Sequence, residues 1–224
     1  MMRFRFRIVA MTAAAVAAAL AVRTSASLRA QSPQRPVIVP VNQEPQHRPV
    51  FANDVVAVLD VRFPPGYTTL FHTHANDNVS VRIETGPLRI DTLAATGAPQ
   101  TAAVGRVVFN SATPPYTHRI TNLGDTAVRI DDIEVLAKAP TRVADRRDDL
   151  AGHEIVADNA RVRLSRIVVP AGQSLAAHGH PRGWLTVVVR GAEPGSFQWH
   201  EAGASTPALT AGASALEIVE IDVK

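Results

Sequence analysis

A chain of 224 residues with 46% hydrophobic content can bury a core and has room for one large or two small domains. Its formal charge of +3 would suggest an anionic partner, but the first 30 residues hold five Arg and no acid; removing them leaves 23 − 5 = 18 basic against 20 acidic residues, a net charge of −2, and drops nucleic acid as a partner. The absence of Cys excludes thiolate metal ligands and thiol catalysis and fits an exported protein that relies on its core.

Residues 1–30 have the layout of a secretory signal peptide. Arg3, Arg5 and Arg7 precede an apolar run from Ile8 to Val22, and small and polar residues follow as far as Ala30, so cleavage is expected after Ala30 or Ala26. A retained anchor is the rival, but the run is Ala-rich and shorter than the roughly 20 residues a span needs. The expected location is periplasmic or secreted, with no membrane association after cleavage. Residues 31–48, rich in Pro and Gln, have no helical or alternating period and read as an extended linker or an arm laid over the first domain.

From residue 49 the pattern turns to short β-type runs: VVAVLDVRF, NVSVRI, LRIDTL, RVVF, HRITN and AVRIDDIEVLA. Turn signals such as PPG, ETG, NSATPP and NLGD separate them, which indicates an all-β antiparallel sandwich or barrel over 49–137. Within it lies Gly66 to Asn78, GYTTLFHTHANDN. Alternate residues of a strand share a face, and a rise of about 3.3 Å per residue brings His72 and His74 onto one face within about 7 Å. Two imidazoles can then converge on one ion. The interval 138–149, charged and strand-poor, reads as an inter-domain linker.

Over 150–224 the pattern restarts with ARVRLSRIVV, LTVVVRG, SFQWH and SALEIVEIDV. An offset of 106 lays Pro64 on Pro170, Gly66 on Gly172, His72 on His178 and His74 on His180. The chain therefore contains an internal repeat, which predicts two tandem small barrels.

These residues resemble the cupin superfamily, whose double-sheet jelly-roll barrels carry a metal inside. That family's first motif is G-x5-H-x-H-x3-4-E-x6-G, matched in register by Gly66, His72 and His74, with the closing Gly at Thr85 or one residue later at Gly86. Its second motif is matched by Gly105, His118 and Asn122, with Pro114 and Pro115 in place of the internal P-x-G. The resemblance implies that His72, His74 and His118 bind one divalent transition metal, and a neutral three-His set with open positions suits Fe, Mn, Ni, Cu or Zn. The Glu slot of the motif holds Asn78, a weak fourth ligand at best; Asp77 would replace it if the strand slips by one residue.

In the second half Gly172, His178, His180 and Gly191 fit the first motif, but Trp184 stands in the Glu slot. Laying Gly212 on Gly124 puts Thr206 at the third His position. Two ligands of four remain, so this barrel reads as degenerate unless His200 or Glu201 completes a second site. Arg82, Glu84 and Arg119 flank the first site and either recognise an acidic substrate or form a solvated face. His47 and His153, in polar context, read as surface residues. The expected protein is an exported bicupin, a homo-oligomer in one reading, acting on a small organic molecule as an oxygen-using, dioxygenase-like metal enzyme. The alternative is a non-catalytic module that binds a small ligand around a structural or vestigial metal site.

Overall fold

The computed structural model describes residues 35–136 and 152–224. The stretch read as a signal peptide and the 138–149 linker lie outside the described residues. The described residues from 36 onward fold as one compact unit. The chain is all-β, as expected; the one helical element among the described residues is a three-residue 3₁₀ turn at Val41–Gln43.

In chain order the strands of the first half are β1 (Ile38–Pro40), β2 (His47–Ala52), β3 (Val56–Phe63), β4 (Phe71–His74), β5 (Asn78–Arg82), β6 (Pro87–Thr92), β7 (Pro99–Thr101), β8 (Val107–Asn110), β9 (Tyr116–Asn122) and β10 (Val128–Val135). They form two five-stranded sheets, β1-β4-β9-β6-β7 and β2-β3-β10-β5-β8, facing each other in a jelly roll. The second half supplies β11 (His153–Asp158), β12 (Val162–Val169), β13 (Ser174–Leu175), β14 (Trp184–Arg190), β15 (Phe197–His200), β16 (Leu209–Thr210) and β17 (Leu216–Val223). Its large sheet, β11-β12-β17-β14-β15, repeats the order of β2-β3-β10-β5-β8; opposite it only the two-stranded β13-β16 remains.

β3 and β10 are buried along nearly their whole length because both of their faces are covered. Leu59, Val61 and Phe63 of β3 point into the first barrel with Val128 and Ile130 of β10. The alternate residues Val56, Val58, Ile133 and Val135 pack against Val162, Leu164, Val219 and Ile221 of the second half. The two halves thus join back to back through their large sheets. Inward positions are left for the site, as the period of two requires.

Residues 38–48, expected as linker or arm, are integral to the first barrel. β1 pairs in parallel with β4, Val39 opposite His72, and so covers the edge of the His-bearing strand. Val41 enters the core, and Glu44 and His47 are buried. Ahead of each His pair the chain turns through Gly66 and Gly172, with φ of 70° and 71°, a region that glycine enters without steric cost.

Candidate metal centres

On β4 the side chains of Phe71 and Thr73 turn outward while His72 and His74 are buried within the barrel. His118 stands directly across from His72 in the β4–β9 ladder. Ring centroids are 5.4 Å apart for His72 and His74, 4.6 Å for His72 and His118, and 5.1 Å for His74 and His118. The three candidates from the two motifs therefore form one cluster.

Two of the three rings are oriented from behind. His72 Nδ1 donates to the Leu70 carbonyl at 3.0 Å, and His74 Nδ1 donates to Glu134 Oε1 at 2.8 Å. A proton fixed on Nδ1 leaves Nε2 as the lone-pair nitrogen, the arrangement metal-binding imidazoles use. Nε2 of His72 and of His118 is buried with no hydrogen-bond partner. Burial, with His47 next in weight, depresses His72 to about 3, and burial followed by His72 holds His118 well below the usual imidazole range. Burial pulls His74 down as well, but the Glu134 hydrogen bond and Asp132 more than reverse it. Neutral, buried nitrogens without protein partners are what a divalent ion would satisfy, so the residues fit a metal.

Asn78 turns inward and Asp77 does not join it, yet Asn78 is engaged elsewhere. Its Oδ1 accepts from the Tyr116 hydroxyl at 3.1 Å and its amide donates to Asp132 Oδ1 at 2.8 Å. Through these two bonds it braces the site. Asp77 instead bonds the Ala112 amide and pairs with Arg161. His47, expected at the surface, is 3% exposed, with its ring 4.4 Å from that of His72 and its Nδ1 donating to Glu44. It packs beside the three-His cluster without belonging to it.

Beside the histidines opens a cavity of about 250 Å³. His47, His74, His118, Tyr116 and Asp132 form one part of its wall, apolar side chains such as Phe63, Leu88 and Ile120 another, and Arg82 and Arg106 a third. Asp132, pushed up to about 6 chiefly by burial, faces His74 at 3.8 Å. Burial and then Arg106 lower Arg82 to about 10, and its buried Nη1 has no partner. Of the three charged residues flagged from sequence, Arg82 alone lines the cavity: Glu84 is exposed, and Arg119 pairs with Asp91 and covers the Phe71 ring.

The second half departs from expectation. His178 and His180 are present, Trp184 is fully buried and stacked on His180 at 4.3 Å, and the Thr206 hydroxyl donates to the His178 carbonyl. Neither His200 nor Glu201 reaches the pair, since His200 Nε2 meets Thr186 and Glu201 accepts from Trp199. His153, from β11, and Glu220, from β17, do so instead. Glu220 carboxylate oxygens lie 3.1 Å from His153 Nε2, 3.0 Å from His178 Nε2 and 3.0 Å from His180 Nε2. His153 is thus not a surface residue, and two further candidate donors stand beside His178 and His180. Burial raises the Glu220 carboxyl, but the hydrogen bonds from His153 and His180 outweigh it and hold it well below the carboxylate range.

Both missed pairs carried a signal. The offset of 106 that superposes the His-x-His pairs also takes His47 to His153. The offset of 88 that lays Gly124 on Gly212 takes Asp132 to Glu220 and Glu134 to Asp222.

A jelly roll doubled back to back, with imidazoles gathered inside each half, defines a class of tandem metal-binding β-barrels. A solved cupin domain from Bordetella pertussis Tohama I is 31% identical over 40% of this chain and 92% of its own, with a TM-score of 0.37. AerE from Microcystis aeruginosa aligns over 81% of this chain and 98% of its own at 13% identity and a TM-score of 0.52. The pirin YhhW of Escherichia coli, solved in complex with nickel(II), aligns over 77% and 88% at 16% identity and a TM-score of 0.55. No family model matches the sequence, and no curated protein does. The chain belongs to the cupin superfamily, in its two-barrel form.

Proposed function

We propose that the protein is an exported metal-dependent bicupin whose first barrel acts on a small organic anion. The observation that carries this reading is one cavity walled by both His74 and His118, which belong to the three-His cluster, and by Arg82, whose buried Nη1 has no hydrogen-bond partner. His72, His74 and His118 would hold the ion, oriented by Leu70 and Glu134. When bound, a divalent transition metal supplies Lewis-acid chemistry and, if redox-active, electron transfer at its open positions. Arg82, with Arg106 beside it, orients a carboxylate or enolate, because a buried unpaired donor gains most from a charged acceptor. The apolar wall excludes water from the rest of the substrate.

Within that class an oxygen-using, dioxygenase-like reaction suits a three-His site without an anionic ligand. A non-catalytic module is the second reading, favoured by Trp184, which fills the inside of the other barrel. Export rests on the basic, apolar and small-residue order of residues 1–30. Protein expressed without that segment, loaded with Fe(II), should consume oxygen with one member of a panel of diketones, phenols, thiols and sugar acids, and His118→Ala should abolish it. Turnover unaffected by His118→Ala would overturn the assignment of the centre. Tight ligand binding without turnover for any metal would decide for the module.

A further inference from the structure

We infer that the second barrel holds a metal ion of its own, bound by His153, His178, His180 and Glu220 in a closed, structural site. It does not depend on the proposed reaction of the first barrel. The ligands are not those the family motif would supply, since the motif's Glu and third His positions hold Trp184 and Thr206. Two replacements come from other strands.

Hydrogen-bond bookkeeping at these side chains points to a cation. His178 faces an oxygen on both sides, the Ala176 carbonyl at Nδ1 (3.2 Å) and Glu220 at Nε2 (3.0 Å). His180 does the same, with Asp222 at Nδ1 (2.6 Å) and Glu220 at Nε2 (3.0 Å). A neutral imidazole has one N–H to donate. With that proton on Nδ1 the inner nitrogen turns a lone pair toward Glu220, and with it on Nε2 the outer contact is lost, so neither neutral form satisfies both sides. A positive centre between them resolves this, and one divalent ion does so for three imidazoles and one carboxylate together.

Geometry agrees. All four donor atoms lie within 4.8 Å of one another. Donors about 2.1 Å from a tetrahedral ion stand about 3.4 Å apart, which falls between the 3.0–3.1 Å Glu220 contacts and the 4.8 Å limit on the whole group. The outer contacts needed for such a site are built: Asp222 holds His180, as Glu134 holds His74 in the first barrel, and a backbone carbonyl holds His178.

Four protein ligands leave a tetrahedral ion no open position, the mark of structural zinc sites. The surroundings are closed as well. Trp184 lies stacked between His180 and His200, where the first barrel has Asn78, and Val188 stands in place of Arg82. The ion this set would take is a borderline divalent one such as Zn(II), satisfied by nitrogen and oxygen.

Full-length protein with the His118→Ala substitution isolates the second site. Titrated with Zn(II), it should retain one ion per chain through gel filtration against a weak chelator, and its unfolding temperature should rise by several degrees. His153→Ala added to it should weaken Zn(II) binding at least 100-fold and remove the rise; unchanged retention would refute the ligand set. Glu220→Gln is a stricter variant that can cost folding. Anomalous diffraction at the zinc edge from zinc-loaded wild-type crystals therefore stands beside the variants. A peak among His153, His178, His180 and Glu220 is expected, and zinc-loaded crystals without one would overturn the inference.

Discussion

The two barrels share a His-x-His segment, a carbonyl behind its first His and a carboxylate behind its second, and differ in what stands beside that pair. In the first, His118 comes from the neighbouring strand and Asp132 stops 3.8 Å from His74. In the second, Thr206 replaces that His, and Glu220, one methylene longer at the position of Asp132, reaches all three imidazoles. Next to them Asn78 and Arg82 line a cavity, while Trp184 and Val188 fill the same places. The open and closed arrangements thus differ in a few inward residues while the large sheet keeps its strand order.

Trp184→Ala tests the closed half most severely. Truncating a fully buried Trp costs roughly 3–5 kcal/mol, read as a fall in unfolding free energy in urea, and it should leave the iron-loaded activity of the first barrel intact at temperatures below the transition. If activity is lost in the still-folded variant, the halves are not independent.

Next comes Asp131, on the face of β10 turned toward the second half, where the repeat has Val219. Burial is the main cause that pushes it up to about 7, Arg129 opposing and Asp60 adding. The fold accommodates its neutral form. Stability from this group is therefore fully present below about pH 4 and is lost as the pH rises through about 7, on the order of 2–4 kcal/mol. Asp131→Asn should flatten that loss between pH 5 and 8 in thermal melts. An unchanged slope would deny the carboxyl this role.

Arg82→Met sharpens the contrast at Val188. It should raise KM for an anionic substrate roughly 10- to 100-fold, the worth of a hydrogen bond to a charged group, with metal content unchanged. A fall in kcat with constant KM would instead place Arg82 in the chemical step. Smallest in effect, Glu134→Gln removes the carboxylate behind His74 and should weaken metal binding in the first barrel by roughly 10-fold, the low end for such partners. Direct metal titration of this variant checks it, and an unaltered affinity would show that Leu70 and packing orient the rings alone.

Much of the architecture was legible in the residues themselves. Period-two apolar runs between Gly and Pro turns specify strands, a repeat at fixed offset specifies two barrels, and His72, His74 and His118 lie in motifs whose spacing fixes which strands meet. Local patterning carries that information because strand faces alternate within a few residues. Less legible were His47 and His153, whose polar neighbours suggested solvent. Burial of His47 is decided by β1 and the 3₁₀ turn folding over the first barrel, and that of His153 by β11 pairing with β12 beside Glu220; neighbouring residues encode neither.

What the sequence by itself determined is the all-β repeat, the first His cluster and the loss of motif ligands in the second half. Only the tertiary structure decided that the loss is made good. Glu220 is 40 residues from His180 and 67 from His153 in the chain, and an acidic residue in an alternating strand looks the same whether it faces water or an ion. The packing of β11 and β17 around β12 turns Glu220 inward, where desolvation makes a charge costly without a partner and three imidazoles supply one.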